Sequence, residues 1–412
     1  MGIGLPKISM QQIWSARFFA SLLMVVLCIQ FVPLEGYGIS PIKVGVMGFS
    51  ILLFFFKVPY FNEVLIWCIL CWAICYFGAS FQDYMRFSTI GYFGMFIISY
   101  AVFYNLVHTE AFSFAYFVRL LKGLILAYGV VLVLQQIAIL VGVRSFAPIN
   151  LPNSFFFSLT KLPSLSSEPS HSARLLTVMM LSYLRCLELQ DGGTRVTMKM
   201  LFEQEHRWVT ILFLWTMLTM GSGTAFIGLG LLSLYFIRKQ TAIYMIPLLG
   251  ILLYMGQTLE IKQMDRVLWV TQVTMTGDVN EIASEDGSAA VRIIPIVNTL
   301  TKIDLTDRDT WFGKGTPIKN NKNWWKQKDQ KIGMIEQYGL IAFMISLILV
   351  YSCMIKHLFS IETLIYIFLF AMSLGNIYYT WGAMMVFTAV RYFQEQNEKG
   401  YLIVEKDILF GE

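Results

Sequence analysis

The sequence predicts an all-α protein that crosses a membrane about twelve times (eleven or twelve), and three observations predict it. Of 412 residues, 57% are hydrophobic and only 14% charged, against about 25% charged in an ordinary soluble domain. Apolar windows close to the roughly 20 residues that span a bilayer as helix recur along most of the chain. Lysine and arginine favour alternate connecting segments, as the positive-inside rule describes. Helix is the spanning form that suits such windows, because inside a bilayer the backbone must satisfy its own hydrogen bonds.

The first window, 14–32, follows Lys7 and lacks a small-residue cleavage site, so it reads as a retained helix rather than a removed signal peptide. Windows at 39–56, 62–80, 87–107 and 121–143 complete a block of five helices over 1–143. In the third, "CILCWAIC" sets Cys68, Cys71 and Cys75 at helical spacing with no histidine or carboxylate nearby. They read as small buried hydrophobes rather than metal ligands.

A loop at 144–168 leads to a second block, 169–259, with windows at 169–188, 208–222, 224–237 and 241–259. The middle two meet at "TMGSGTAF" and also read as one broken helix. Next comes a hydrophilic loop, 260–332, of 73 residues holding eleven Lys or Arg, ten Asp or Glu and four of the ten tryptophans. That is too long for a mere connector, and 291–303 has the apolar spacing of a short amphipathic helix. The third block, 333–392, holds windows 333–355, 361–377 and 379–392, and the tail is 393–412. With the N-terminus inside, short inner segments carry fourteen basic residues and short outer segments four, so both termini are expected inside and both loops outside. The net charge of +5 is scattered rather than striped, which gives no reason to expect a nucleic-acid partner.

Ionisable residues at the start of one window stand out: Ser164 to Leu176 reads "SLSSEPSHSARLL". Pro169 suits a first helical position, and Ser167 and Glu168 stand where caps belong. Ser170, His171 and Arg174 then share one face of the first turns. A helix N-terminus with an arginine one turn in favours a phosphate-bearing ligand, and Glu168 is placed to orient or deprotonate a hydroxyl, with His171 as rival. The plainer reading pairs Glu168 with Arg174 and leaves the serines as caps. The start of a spanning helix favours function, because ionisable groups are costly there. Further cations that suit phosphate are Arg292 and Arg266 in the long loop, and Lys314 between Gly313 and Gly315. Asp304, Asp307 and Asp309 read as a solvated acidic turn rather than a calcium site, so neither metal nor cofactor is called for. Trp311, Trp324 and Trp325 suit sugar stacking or interfacial anchoring equally.

"SEPSHSARLL" resembles the Glu-Pro-Ser segment of bacterial O-antigen and exopolysaccharide polymerases of the Wzy type. In the same order, "TMGSGTAFIGLGLLSL" is similar to that family's helix pair, with Ser222 and Thr224 matching. "GSAAVRIIPIVNTL" and "TWFGKGTP" are similar to its arginine-bearing external helix and the turn after it, and "MIEQYGLIAFMISLIL" to the next helix entry. These motifs cover about residues 150 to 350. The resemblance takes in the O-antigen ligases, which carry a histidine before the last motif; none lies between Arg292 and Glu336 here.

The resemblance implies a GT-C-like glycosyltransferase in the bacterial inner membrane, with both loops periplasmic. It would join oligosaccharides carried on undecaprenyl pyrophosphate without a metal, and a polysaccharide chain-length regulator is the partner protein it suggests. Its site would be Glu168 and His171 for catalysis, with Arg174, Arg292, Arg266, Ser170 and Lys314 for pyrophosphate. A ligase, or a flippase for lipid-linked sugars, remains an alternative at this point.

Overall fold

The computed structural model describes residues 10–29, 41–56, 62–82, 87–109, 112–142, 161–237, 287–315 and 331–402. The window at 241–259, Arg266, Trp269, Trp324 and Trp325 lie outside the described residues.

All regular structure among the described residues is helical. The helices are α1 (Met10–Cys28), α2 (Pro41–Phe56), α3 (Asn62–Ala79), α4 (Phe87–His108), α5 (Phe114–Leu140) and α6 (Pro169–Gln190). There follow α7 (Met198–Leu201), α8 (Arg207–Thr219), α9 (Gly223–Phe236), α10 (Gly287–Thr301) and α11 (Arg308–Phe312). The last three are α12 (Gly333–Leu349, closed by a π turn at Val350–Met354), α13 (Ile361–Phe370) and α14 (Tyr378–Glu398). Phe87–His108, Phe114–Leu140 and Gly333–Met354 are long and apolar enough to cross a membrane; α8, α9 and α13 are shorter apolar helices.

Local chemistry explains several boundaries. Ser113 caps α5 by accepting from the Tyr116 N–H, and Ser360 caps α13 through Thr363. "TMGSGTAF" forms two helices: α8 stops at Thr219, Gly221 takes a positive φ of 71°, and α9 begins at Gly223. The predicted window 361–377 is helical only to Phe370. Ala371 and Met372 turn left-handed there, at φ 50° and 51°, and the chain runs on irregularly to α14. The amphipathic segment in the long loop is helical, as α10.

The core is centred on α6 and α14, which pack along each other and are buried over most of their length. Trp381 of α14 is fully buried; it stacks on Phe96 with centroids 6.0 Å apart and donates its indole N–H to the Gly375 carbonyl at 3.0 Å. Polar side chains inside this core pair with one another, as Tyr100 with Thr388 at 2.9 Å and Ser50 with Ser99 at 2.8 Å, which avoids the cost of a buried orphan. All six cysteines are buried thiols.

Hydrogen bonds sort the helix ends into two groups. One gathers the end of α1 and the starts of α6, α12 and α14: Cys28 meets Tyr128, Tyr338 meets Asn376, and Arg174 meets Tyr379. The opposite group gathers the end of α6 and the start of α13, where Arg185 bonds Glu362 at 2.8 Å and Glu188 at 2.9 Å.

Near the first group, α11 and the start of α12 interlock through two glycines. Gly313 (φ 78°) would drive a Cβ to 2.5 Å from the Gln337 carbonyl oxygen, and Gly339 (φ 88°) one to 2.0 Å from that of Trp311. Only glycine permits this backbone approach. Gln82, just past α3, locks the junction by donating to the Phe312 carbonyl at 2.9 Å and the Gln337 carbonyl at 2.7 Å.

Candidate functional site

The segment before α6 is fastened along α5. Gln135 makes a reciprocal pair with the Ser164 backbone, accepting from its N–H and donating to its carbonyl, both at 3.0 Å. The Ser164 hydroxyl donates to the Tyr128 carbonyl at 2.6 Å, and the Tyr128 and Ser166 hydroxyls lie 3.1 Å apart. These bonds hold Ser164 at a positive φ of 53°, a conformation non-glycine residues adopt at a cost of about 1–2 kcal/mol. Gln135 and Tyr128 precede Leu140, the last residue of α5, by five and twelve residues, about 8 and 18 Å of helix. The segment therefore lies beside α5 below its end.

From this anchored segment the chain enters α6 at Pro169. Glu168 is the N-cap residue, yet its side chain makes no cap hydrogen bond, which corrects the expected capping role. Its carboxylate, 52% exposed, stands 3.7 Å from His171 Nε2 and accepts from the Ser170 hydroxyl at 3.3 Å. Ser167 instead meets His171 Nδ1 at 3.0 Å, and the His171 ring lies against Tyr379 with centroids 4.2 Å apart. The imidazole is thus held by Ser167, Tyr379 and Glu168 together.

The plainer pairing of Glu168 with Arg174 is not formed. Arg174 Nη1 donates to the Tyr379 hydroxyl at 2.5 Å, and its guanidinium carbon lies 5.1 Å from the centre of that ring. Its Nε is buried without a hydrogen-bond partner among the described residues. Arg174 is therefore a cation with donors to spare, and Glu168 a carboxylate left half open. The carboxylate can take up a proton, and the guanidinium can offset negative charge.

Lys314 is exposed, lies 3.9 Å from Glu336 Oε1, and donates its backbone N–H to the Glu336 carbonyl at 2.8 Å. It belongs to the junction of α11 and α12. Arg292 is on α10, whose side chains are described from residue 294 onward; that helix meets the α12 entry where Thr299 accepts from the Ile332 N–H at 3.0 Å. Arg266 lies outside the described residues. Asp304 accepts from the Thr306 N–H and hydroxyl, bonds that hold its carboxyl below the usual range; Asp307 caps α11 through the Asp309 N–H.

Residues the sequence did not single out complete the site. Tyr378 and Tyr379 stand where the windows 361–377 and 379–392 meet, and Lys43 is one of the four basic residues assigned to short outer segments. Its position two residues into an apolar run was the signal that would have found it. At the opposite end a cavity of about 240 Å³ is lined by Arg185, Glu362, Lys356, Arg391 and Glu398. Its charges are mutually matched, with Lys356 at 2.5 Å from Glu398 and Arg391 at 2.7 Å from Glu395.

Compared with family models, curated proteins and solved structures, the chain matches none.

Proposed function

We propose that the chain is a membrane glycosyltransferase that polymerises oligosaccharide units carried on undecaprenyl pyrophosphate, at the periplasmic face of a bacterial inner membrane. In this reading the fold is GT-C-like with eleven or twelve spans, both termini are cytoplasmic, and the Glu168 end faces the periplasm. The observation that carries it is the α6 entry, where a half-exposed carboxylate and an arginine without a carboxylate partner among the described residues stand one helical turn and a half apart. The ordered motifs between residues 150 and 350 supply the substrate class by resemblance, and the lack of a histidine between Arg292 and Glu336 favours polymerase over ligase.

The chemistry assigned to these residues is a single displacement. A sugar hydroxyl of the acceptor attacks the anomeric carbon of the donor, and the bond from that carbon to the diphosphate oxygen breaks. The hydroxyl proton passes to Glu168, and the negative charge gathered on the leaving diphosphate is met by Arg174. Removing one such oriented donor typically costs about 3–4 kcal/mol of barrier. His171 orients Glu168 from 3.7 Å. Arg292 and Arg266 are the long-loop cations this reading brings to the same diphosphate, and a chain-length regulator is the protein partner it calls for.

The test is deletion of the gene in its host, followed by gel analysis of the surface glycan. A polymerase loss leaves one repeat on the lipid core, a ligase loss leaves none, and accumulation on the inner leaflet indicates a flippase. Glu168→Gln and Arg292→Ala should reproduce the single-repeat pattern at normal protein levels. Full-length ladders from both variants would remove the site assignment.

A further inference from the structure

Lys43, two residues into α2, has its ammonium 3.3 Å from the centre of the Tyr378 ring. It is 3% exposed, and Nζ has no hydrogen-bond partner among the described residues. A lysine buried with three unused donors is expensive, and the face of one tyrosine replaces little of its lost hydration. Tyr378 adjoins Tyr379, with ring centroids 5.3 Å apart, and Tyr379 carries Arg174 with its own unpartnered Nε. His171 lies between, its ring 6.5 Å from Tyr378 and 4.2 Å from Tyr379. Cations from α2 and α6 thus approach consecutive tyrosines at the first turn of α14, each keeping donors that no group among the described residues takes.

We infer that Lys43 and Arg174 form a two-cation cradle for a diphosphate carried on an isoprenoid chain, with the Lys43 ammonium as a phosphate-binding group. This rests on the reading above for the class of ligand. Two phosphates match two cations in charge and supply acceptor oxygens for the orphaned N–H groups. Tyr378 holds the ammonium in place while the site is empty, and an isoprenoid tail suits the apolar helices around it.

The full chain in nanodiscs of zwitterionic lipid, titrated with geranylgeranyl diphosphate and read by native mass spectrometry, tests this. Lys43→Met keeps the stem and removes the charge. It should weaken binding about 10- to 100-fold, the effect of one charge-assisted hydrogen bond. Without ligand the variant should melt at or above the wild-type temperature, because a buried amine without a hydrogen-bond partner among the described residues is gone. Unchanged affinity would overturn the inference. So would a lower melting temperature or failure to accumulate, which would make Lys43 a structural anchor of Tyr378. Equal competition by phosphatidylglycerol would assign the cradle to bulk lipid headgroups and overturn it too. Binding is read without sugar transfer, so the two proposals fail separately. Lys43-dependent binding beside a normal glycan ladder in the deletion strain would sink only the polymerase reading, and Lys43-independent binding beside a single-repeat pattern would sink only this one.

Discussion

Gln135→Leu isolates what holds the Glu168 segment in place. In the wild type one buried amide satisfies both the N–H and the carbonyl of Ser164, at 3.0 Å each. Leucine is close to glutamine in size, so little volume is lost, but both backbone groups are orphaned beside α5. At about 1–2 kcal/mol each, near the low end for buried unsatisfied groups, the penalty is about 2–4 kcal/mol. The positive φ of Ser164 adds to the tendency to open, because that conformation persists only while its partners hold it. The penalty should appear locally. Amide hydrogen exchange over 161–168 should speed up about 30- to 700-fold, at tenfold per 1.4 kcal/mol. Peptides from α14 should change little, because its core contacts are untouched. On the proposed polymerase reading, the glycan ladder should also shorten once Glu168 is no longer held at the α6 entry. Unchanged exchange over 161–168 would refute the claim that Gln135 fastens the site.

Gly339→Ala should cost about 2–6 kcal/mol, combining a backbone region reserved for glycine with a clash against a carbonyl that no side-chain motion relieves; yield and melting in detergent measure it. Arg185→Met should lower stability by about 3 kcal/mol, since it strands Glu362 and Glu188, which are only 13% and 17% exposed; calorimetric or fluorescence melting reads the loss. His206, in the turn before α8, has its pKa held below the ordinary 6.5 chiefly by burial, and its Nδ1 meets the Tyr183 hydroxyl at 2.8 Å. The folded state therefore takes up the proton later than the unfolded one. Its stability should be full above about pH 6.5 and decline as the pH falls toward the lowered value. Melting temperatures across pH 5–8 should show a smaller acid-side fall in His206→Asn.

The helical class, the position of most helices and the α6 entry motif were legible in the sequence. Each depends on local pattern: apolar run length, a proline at the first helical position, and serines and a carboxylate before it. Local pattern also flagged Gly313, beside Lys314, though not that its turn interlocks with the one at Gly339. Short-range signals failed where a partner is distant in sequence. Glu168 lies six residues from Arg174, yet Arg174 turns instead to Tyr379, 205 residues away. Gln135 and Tyr128 anchor Ser164 across a connecting loop, and Lys43 reaches Tyr378 from another helix altogether. Composition and periodicity thus determined that the chain is a set of apolar helices and where one of them opens with charge. Only the packing of those helices decided which charges find partners and which are left with donors unused, because burial and pairing are properties of the assembled bundle rather than of any one segment.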